Sequence, residues 1–160
     1  PSDTPCVEVS VFALMPNHFH FLLQEKEIGG ISSFMQCLGS GYTHYFNRTH
    51  QRTGRLFESQ FKAKQIDSQD YLEHLTRYIH LNPLDLFHED YPVDVTVRDQ
   101  NYIHEILLRY PWSSYPSYYN QNETNFLKLH LLNSLFLTPT EHLTYLAEEN
   151  PNDADNEESA

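Results

Sequence analysis

Two apolar runs separated only by Pro16-Asn17 constrain this chain more than any other feature. Val7 to Met15 (VEVSVFALM) is rich in Val and Phe, as strands are, and His18 to Gln24 (HFHFLLQ) continues the apolar character. Along a strand successive side chains point to opposite faces, so His18, His20 and Leu22 share one face and Phe19, Phe21 and Leu23 the other. Pro and Asn are turn formers, and so short a connection joins neighbouring antiparallel strands as a hairpin. Two imidazoles at i and i+2 can reach one divalent ion without moving the backbone. The same spacing equally suits two rings that cap a sheet face and bond to nearby carbonyls, and the triplet alone does not separate these readings.

Downstream the period changes. Gly29-Gly30 breaks the chain, and Ile31 to Asn47 reads as a helix despite Gly39 and Gly41. Thr53-Gly54 is a turn, followed by a strand-like segment, RLFESQFKAKQI, at residues 55–66. A second helix follows, with Asp67 or Ser68 as its cap, Asp70 at its positive end and Pro83 forbidding its continuation. Leu72, Leu75 and Ile79 form its apolar stripe, with Tyr78 at the margin. Tyr78 and Asn82, four apart, lie one turn apart on nearly the same face. A tyrosine at such a margin could face a cleft and act as a nucleophile, and an asparagine amide oxygen can ligate a metal. Either residue alone reads more simply as a packing tyrosine and a helix-ending Asn-Pro. Phenols titrate near about 10, so a nucleophilic tyrosine needs a metal or base to assist it. His74 and His80 stand close in sequence, but their helix angles decide nothing.

Residues 85–98 read as a polar connection, Tyr102 to Tyr110 as a short helix and PWSSYPSYY as a short aromatic helix or turn. Phe126 to Leu137 and Thr140 to Glu149 are further helices, and disorder is expected from Asn150 onward. The fold class expected is α+β. One domain is expected over residues 1–149, with a core at about 7–119, a helical extension at 120–149 and an acidic tail at 150–160.

The net charge of −12 argues at first against nucleic acid. Its distribution softens that objection, because the final AEENPNDADNEESA holds six acids and no base. Arg48, Arg52, Arg55, Lys62 and Lys64 face the single acid Glu58 within residues 48–64, a local basic patch of the kind phosphates need. Cys6 and Cys37 make neither a CxxC pair nor a disulfide framework, which with the absence of a signal-peptide pattern points to the cytoplasm. No run approaches the length of a membrane span. The chain opens at Pro1 without a Met, which leaves its N-terminal boundary open.

ALMPNHFHFLLQ, then GRLFESQFKAK, then YLEHLTRYIHLNP, and later YPWSSYPSYY, in this order and at these intervals, resemble the REP-associated tyrosine transposases, single-tyrosine members of the HUH endonuclease class. The resemblance covers roughly Val7 to Tyr119. It implies a small antiparallel sheet flanked by helices with a ferredoxin- or RRM-like core, the HUH strand central and the tyrosine helix packed against it. It implies that His18 and His20 are metal ligands, that Asn82 is the third, amide-bearing ligand of Mg²⁺ or Mn²⁺, and that Tyr78 is the nucleophile. The implied activity is a single-stranded DNA endonuclease and strand transferase acting beside hairpin or repetitive palindromic DNA, through a 5′-phosphotyrosine intermediate, as monomer or homodimer. Arg55, Lys62 and Lys64 are then the expected phosphate contacts, with Lys62 and Lys64 on one side of a strand; Phe57 or Phe61 could stack on an unpaired base, but a core role is expected for both.

The chain departs from the family in two ways. Family members carry a further strand and helix upstream with a Gly-Asn-Asn-like element, and nothing here matches it. They also tend to be basic, so this chain's acidity predicts weaker, more salt-sensitive DNA binding. A catalytically inactive DNA-hairpin-binding protein on the same scaffold is the alternative, and a metal phosphohydrolase using the two histidines and water is a third reading.

Overall fold

The structure, a computed structural model, describes residues 5–90 and 99–148. The acidic tail and much of the 85–98 connection lie outside the described residues. The class is α+β. Strand β1 (Val7–Leu14) pairs antiparallel with β2 (Phe19–Glu25), and the turn between them closes with the Met15 amide donating to the His18 carbonyl at 2.8 Å. Val7, Val9, Val11 and Ala13 of β1 are buried, the alternation expected of a sheet with one covered face.

These two strands form the only sheet among the described residues. Segments from the C-terminal half cover the other edge of β1. Ser113 bridges Ala13 and Leu127 bridges Val9, with the Ser114 amide on the Phe12 carbonyl at 2.9 Å and the Lys128 amide on the Val9 carbonyl at 2.9 Å. An uncovered edge would present a row of unpaired backbone groups. The resemblance places the HUH strand at the centre of its sheet, but here β2 pairs with β1 alone among the described residues.

Residues 55–66, expected as a strand, form none. A strand needs a ladder partner, and the described sheet ends at two strands. The 126–137 stretch, expected to be one helix, is helical only as α5 (His130–Leu135). Before it, Glu123 and Thr124 side chains accept the Leu129 and Leu127 amides at 3.0 and 3.1 Å, where Leu127 bridges β1.

Two compact units share the hairpin. One takes residues 5–8 with Leu23–Ile66, the other Val9–Leu22 with the described residues after Ile66. The first is dominated by α1 (Gly30–Thr49). Gly29 starts it at a φ of 80°, and Gly30 lets the helix approach the chain before β1, since a Cβ there would lie 2.3 Å from the Cys6 carbonyl oxygen. Little of α1 is covered, only Gly30 and Met35 being buried. Phe57 and Phe61, expected in the core, are exposed; Phe57 packs beside Tyr42, their ring centroids 6.3 Å apart.

The second unit holds the larger core. Helix α2 (Gln69–Leu81) starts at Ser68, whose hydroxyl accepts the Tyr71 amide at 3.3 Å. Before Pro83 the chain tightens into the 3₁₀ segment Asn82–Asp90, as a residue lacking an amide proton requires. Helices α3 (Gln100–Arg109), α4 (Tyr115–Tyr119), α5 and α6 (Pro139–Ala147) belong to the same unit. Leu84, Ile103, Leu107, Tyr115, Leu143 and Leu146 pack together as its core, each such buried aliphatic side chain contributing about 1.5–3 kcal/mol.

The buried face of α2 is Thr76, Arg77, Ile79 and His80, while Leu72 and Leu75 of the expected stripe are only half-buried. Arg77 donates to the carbonyls of Tyr145 and Glu148 at the end of α6, and its guanidinium lies 5.5 Å from the Tyr145 ring centre. The Nε2 atom of His80 lies 2.7 Å from the Ser114 hydroxyl, which also accepts the Phe12 amide at 3.0 Å. These buried polar ties hold α2 against β1 on one side and α6 on the other.

Candidate active site

Pairing of β2 with β1 puts His18, at the end of the turn, beside His20, with ring centroids 4.9 Å apart and planes nearly perpendicular. The Tyr78 ring meets His20 edge-to-face at 5.2 Å. One turn on, Asn82 brings its Oδ1 to 3.4 Å from Nε2 of His18. The structure thus draws together His18, His20, Tyr78 and Asn82, all within the second unit. Arg55, Lys62 and Lys64 belong to the first unit, where all three are exposed on non-helical, non-strand backbone, not aligned on a strand as expected. His80, whose role was open, is turned into the core and tied to Ser114.

Hydrogen bonding fixes the polarity of the cluster. The Asn82 amide nitrogen donates to the Tyr78 carbonyl at 2.9 Å, so its Oδ1 is the atom turned towards His18. The Nδ1 atom of His18 lies 2.7 Å from Oδ1 of Asn17. Both ring nitrogens of His18 thus meet an amide oxygen, which only accepts, and a neutral ring has one proton to give; the much closer contact, to Asn17, favours it on Nδ1 and leaves Nε2 its lone pair. Two acceptors, Nε2 of His18 and Oδ1 of Asn82, therefore face each other. His20 adds a third unsatisfied atom, its Nε2 being buried without a hydrogen-bond partner. Burial, and then the neighbouring His18 ring, lower the pKa of His20 below the ordinary imidazole value, while the Asn82 side chain opposes the shift. The ring is thereby kept neutral, the form that can ligate.

Two imidazole nitrogens and an amide oxygen converging in this way fit a cation. Among the described residues no group of three or more His, Cys, Asp or Glu is placed to hold a metal. The donor set here is different, two imidazoles and one amide oxygen. Nitrogen and oxygen donors of this kind suit a divalent ion of intermediate hardness such as Mn²⁺, and tolerate Mg²⁺ when water and phosphate oxygens complete its shell.

Residues 3–82 match the family model of IS200-like transposases. The chain belongs to that family. No curated protein and no solved structure matches it. The IS200-like match ends on Asn82 and takes in the hairpin, α1 and α2, so all four clustered residues lie inside it. Membership supports a transposase-like, DNA-processing function with DNA as partner. No helix among the described residues is long and apolar enough to cross a membrane.

Sequence reasoning missed Asn17, taken only as a turn residue, and Arg77, His80 and Ser114, which position α2. Arg77 and His80 carried no local signal: at about 100° per residue Arg77 falls nearly opposite the Leu72–Leu75–Ile79 stripe and His80 falls outside it, and both are buried through distant partners. Ser114 and Asn17 carried none that reading along the chain would find.

Proposed function

We propose that this protein is a metal-dependent single-stranded DNA endonuclease and strand transferase that uses Tyr78 as its nucleophile. The observation that best supports the reading is the meeting of Tyr78 with His20 at 5.2 Å while His18 and Asn82 turn two acceptors towards each other at 3.4 Å. His18, His20 and Asn82 would hold Mg²⁺ or Mn²⁺, which supplies Lewis-acid polarisation of the scissile phosphate and neutralises charge on its oxygens. The Tyr78 oxygen attacks phosphorus, the phenolic proton passes to solvent, and the bond from phosphorus to the 3′ oxygen breaks. That oxygen takes up a proton and leaves as a free 3′-hydroxyl, and the 5′ side remains as a phosphotyrosine ester. One phosphate ester replaces another, so attack by a second 3′-hydroxyl reverses the step and joins strands without a nucleotide cofactor. The half-buried position of Tyr78 on a helix held by Arg77 and His80 suits a nucleophile that needs a fixed approach.

In this reading Arg55, Lys62 and Lys64 contact phosphates of single-stranded or hairpin DNA, and their exposure is compatible with that role. The full chain, incubated with Mn²⁺ and a single-stranded hairpin oligonucleotide, is expected to give a covalent adduct that survives denaturation. The adduct should be lost with a chelator and in Tyr78→Phe. Hairpin binding with no adduct from the unaltered chain would leave the inactive DNA-binding scaffold as the correct reading. Cleavage that continues in Tyr78→Phe would instead favour hydrolysis by water.

A further inference from the structure

We infer that Asn17 is the positioning residue of the site, setting which nitrogen of His18 carries the proton and so which one faces Asn82. The inference rests on the metal-site reading above for its purpose, but on geometry alone for its content. Oδ1 of Asn17 lies 2.7 Å from Nδ1 of His18, well inside hydrogen-bond range. Free imidazole side chains favour the proton on the other nitrogen, so the Nδ1–H form needs a nearby acceptor. Asn17 is held to provide one, because the Met15 amide bonded to the His18 carbonyl at 2.8 Å closes the turn around Pro16-Asn17. On the far side of the ring, Nε2 lies 3.4 Å from Oδ1 of Asn82, which cannot donate, its amide nitrogen being bonded to the Tyr78 carbonyl. Asn17 and Asn82 therefore bracket one ring with two oxygens, and in the neutral ring the closer one, at 2.7 Å against 3.4 Å, takes the proton and leaves the lone pair facing Asn82.

Hydrogen-bonded partners of this kind fix ring orientation and raise ligand basicity, and losing one typically weakens metal binding on the order of 10- to 100-fold. An amide is a weaker acceptor than a carboxylate, which places Asn17 at the lower end of that range. Asn17 is exposed, so its replacement leaves the core intact.

The test pairs two readouts on the full chain, the tautomer of His18 from long-range ¹⁵N nuclear magnetic resonance without metal, and Mn²⁺ affinity by calorimetry. In the unaltered protein His18 should be protonated at Nδ1. Asn17→Ala should shift the proton to Nε2 and weaken Mn²⁺ binding about tenfold, while Asn17→Asp, a stronger acceptor, should keep the Nδ1–H form and bind Mn²⁺ at least as tightly as the unaltered protein. Protonation at Nε2 in the unaltered protein, or an Nδ1–H form that persists in Asn17→Ala, overturns the inference. If Asn17→Ala shifts the tautomer but no variant binds Mn²⁺, the metal-site reading fails and the control of His18 by Asn17 stands.

Discussion

Replacing Ser114 by alanine is the sharpest test of how the tyrosine helix is held. Ser114 is fully buried. Its hydroxyl lies 3.3 Å from the Phe12 carbonyl, accepts the Phe12 amide at 3.0 Å and lies 2.7 Å from Nε2 of His80. With the hydroxyl proton on the Phe12 carbonyl, the oxygen serves two buried donors at once. Alanine fills most of the same volume, so the cost is chiefly two orphaned N–H groups. Each such group costs about 1–3 kcal/mol when buried, giving about 2–6 kcal/mol for the pair. Against a total stability of about 5–15 kcal/mol this is a large fraction. In urea, with an m-value of about 2 kcal/mol per molar, the midpoint should fall by roughly 1–3 M at unchanged slope. Combined with His80→Leu, the loss should be less than additive, since the pair shares one contact. A Ser114→Ala midpoint within about 0.2 M of the parent, or full additivity with His80→Leu, would refute the proposed tie between α2 and β1.

Three further outcomes follow from the same geometry. Burial holds the pKa of His142 at about 3, and both its ring nitrogens are buried without partners. The unfolded chain binds that proton near pH 6.5, so stability should fall by about 1.4 kcal/mol per unit below it, about 2 kcal/mol by pH 5. Burial also pushes His80 down, which adds in the same direction, and midpoints at pH 7 and 5 should differ less in His142→Leu. Gly30→Ala sets a methyl 2.3 Å from the Cys6 carbonyl and should lower stability by about 1–3 kcal/mol or more, read as a drop in melting temperature. Asn82→Leu, which removes the oxygen facing His18, should weaken Mn²⁺ binding at least about tenfold, or about 1.4 kcal/mol; unchanged affinity would remove Asn82 from the ligand set.

What was legible in the sequence is what short-range chemistry dictates. The period of two around Pro16-Asn17 marks β1 and β2, and Ser68 and Pro83 bound α2 within a residue or two. His18, His20, Tyr78 and Asn82 could each be picked out, yet their assembly joins residues 64 apart in the chain and needed a family resemblance to suggest it. Errors arose where long-range contacts override local pattern. Phe126, Leu129, Leu132 and Phe136 repeat with helical spacing, but the first part of that stretch is drawn out along the edge of β1. Phe57, Phe61 and their neighbours have strand-like composition and no strand to pair with among the described residues. The stripe of α2 was misjudged because Arg77 and His80 are polar by type and buried by partnership with Tyr145, Glu148 and Ser114. Such partners lie more than thirty residues away and leave no local trace.

The central claim is that Tyr78 attacks DNA beside the two histidines. Proteolysis of the adduct formed on hairpin DNA with Mn²⁺, followed by mass spectrometry, should find a nucleotide phosphate esterified to Tyr78. An unmodified Tyr78, or a nucleotide carried by another tyrosine, would contradict the account.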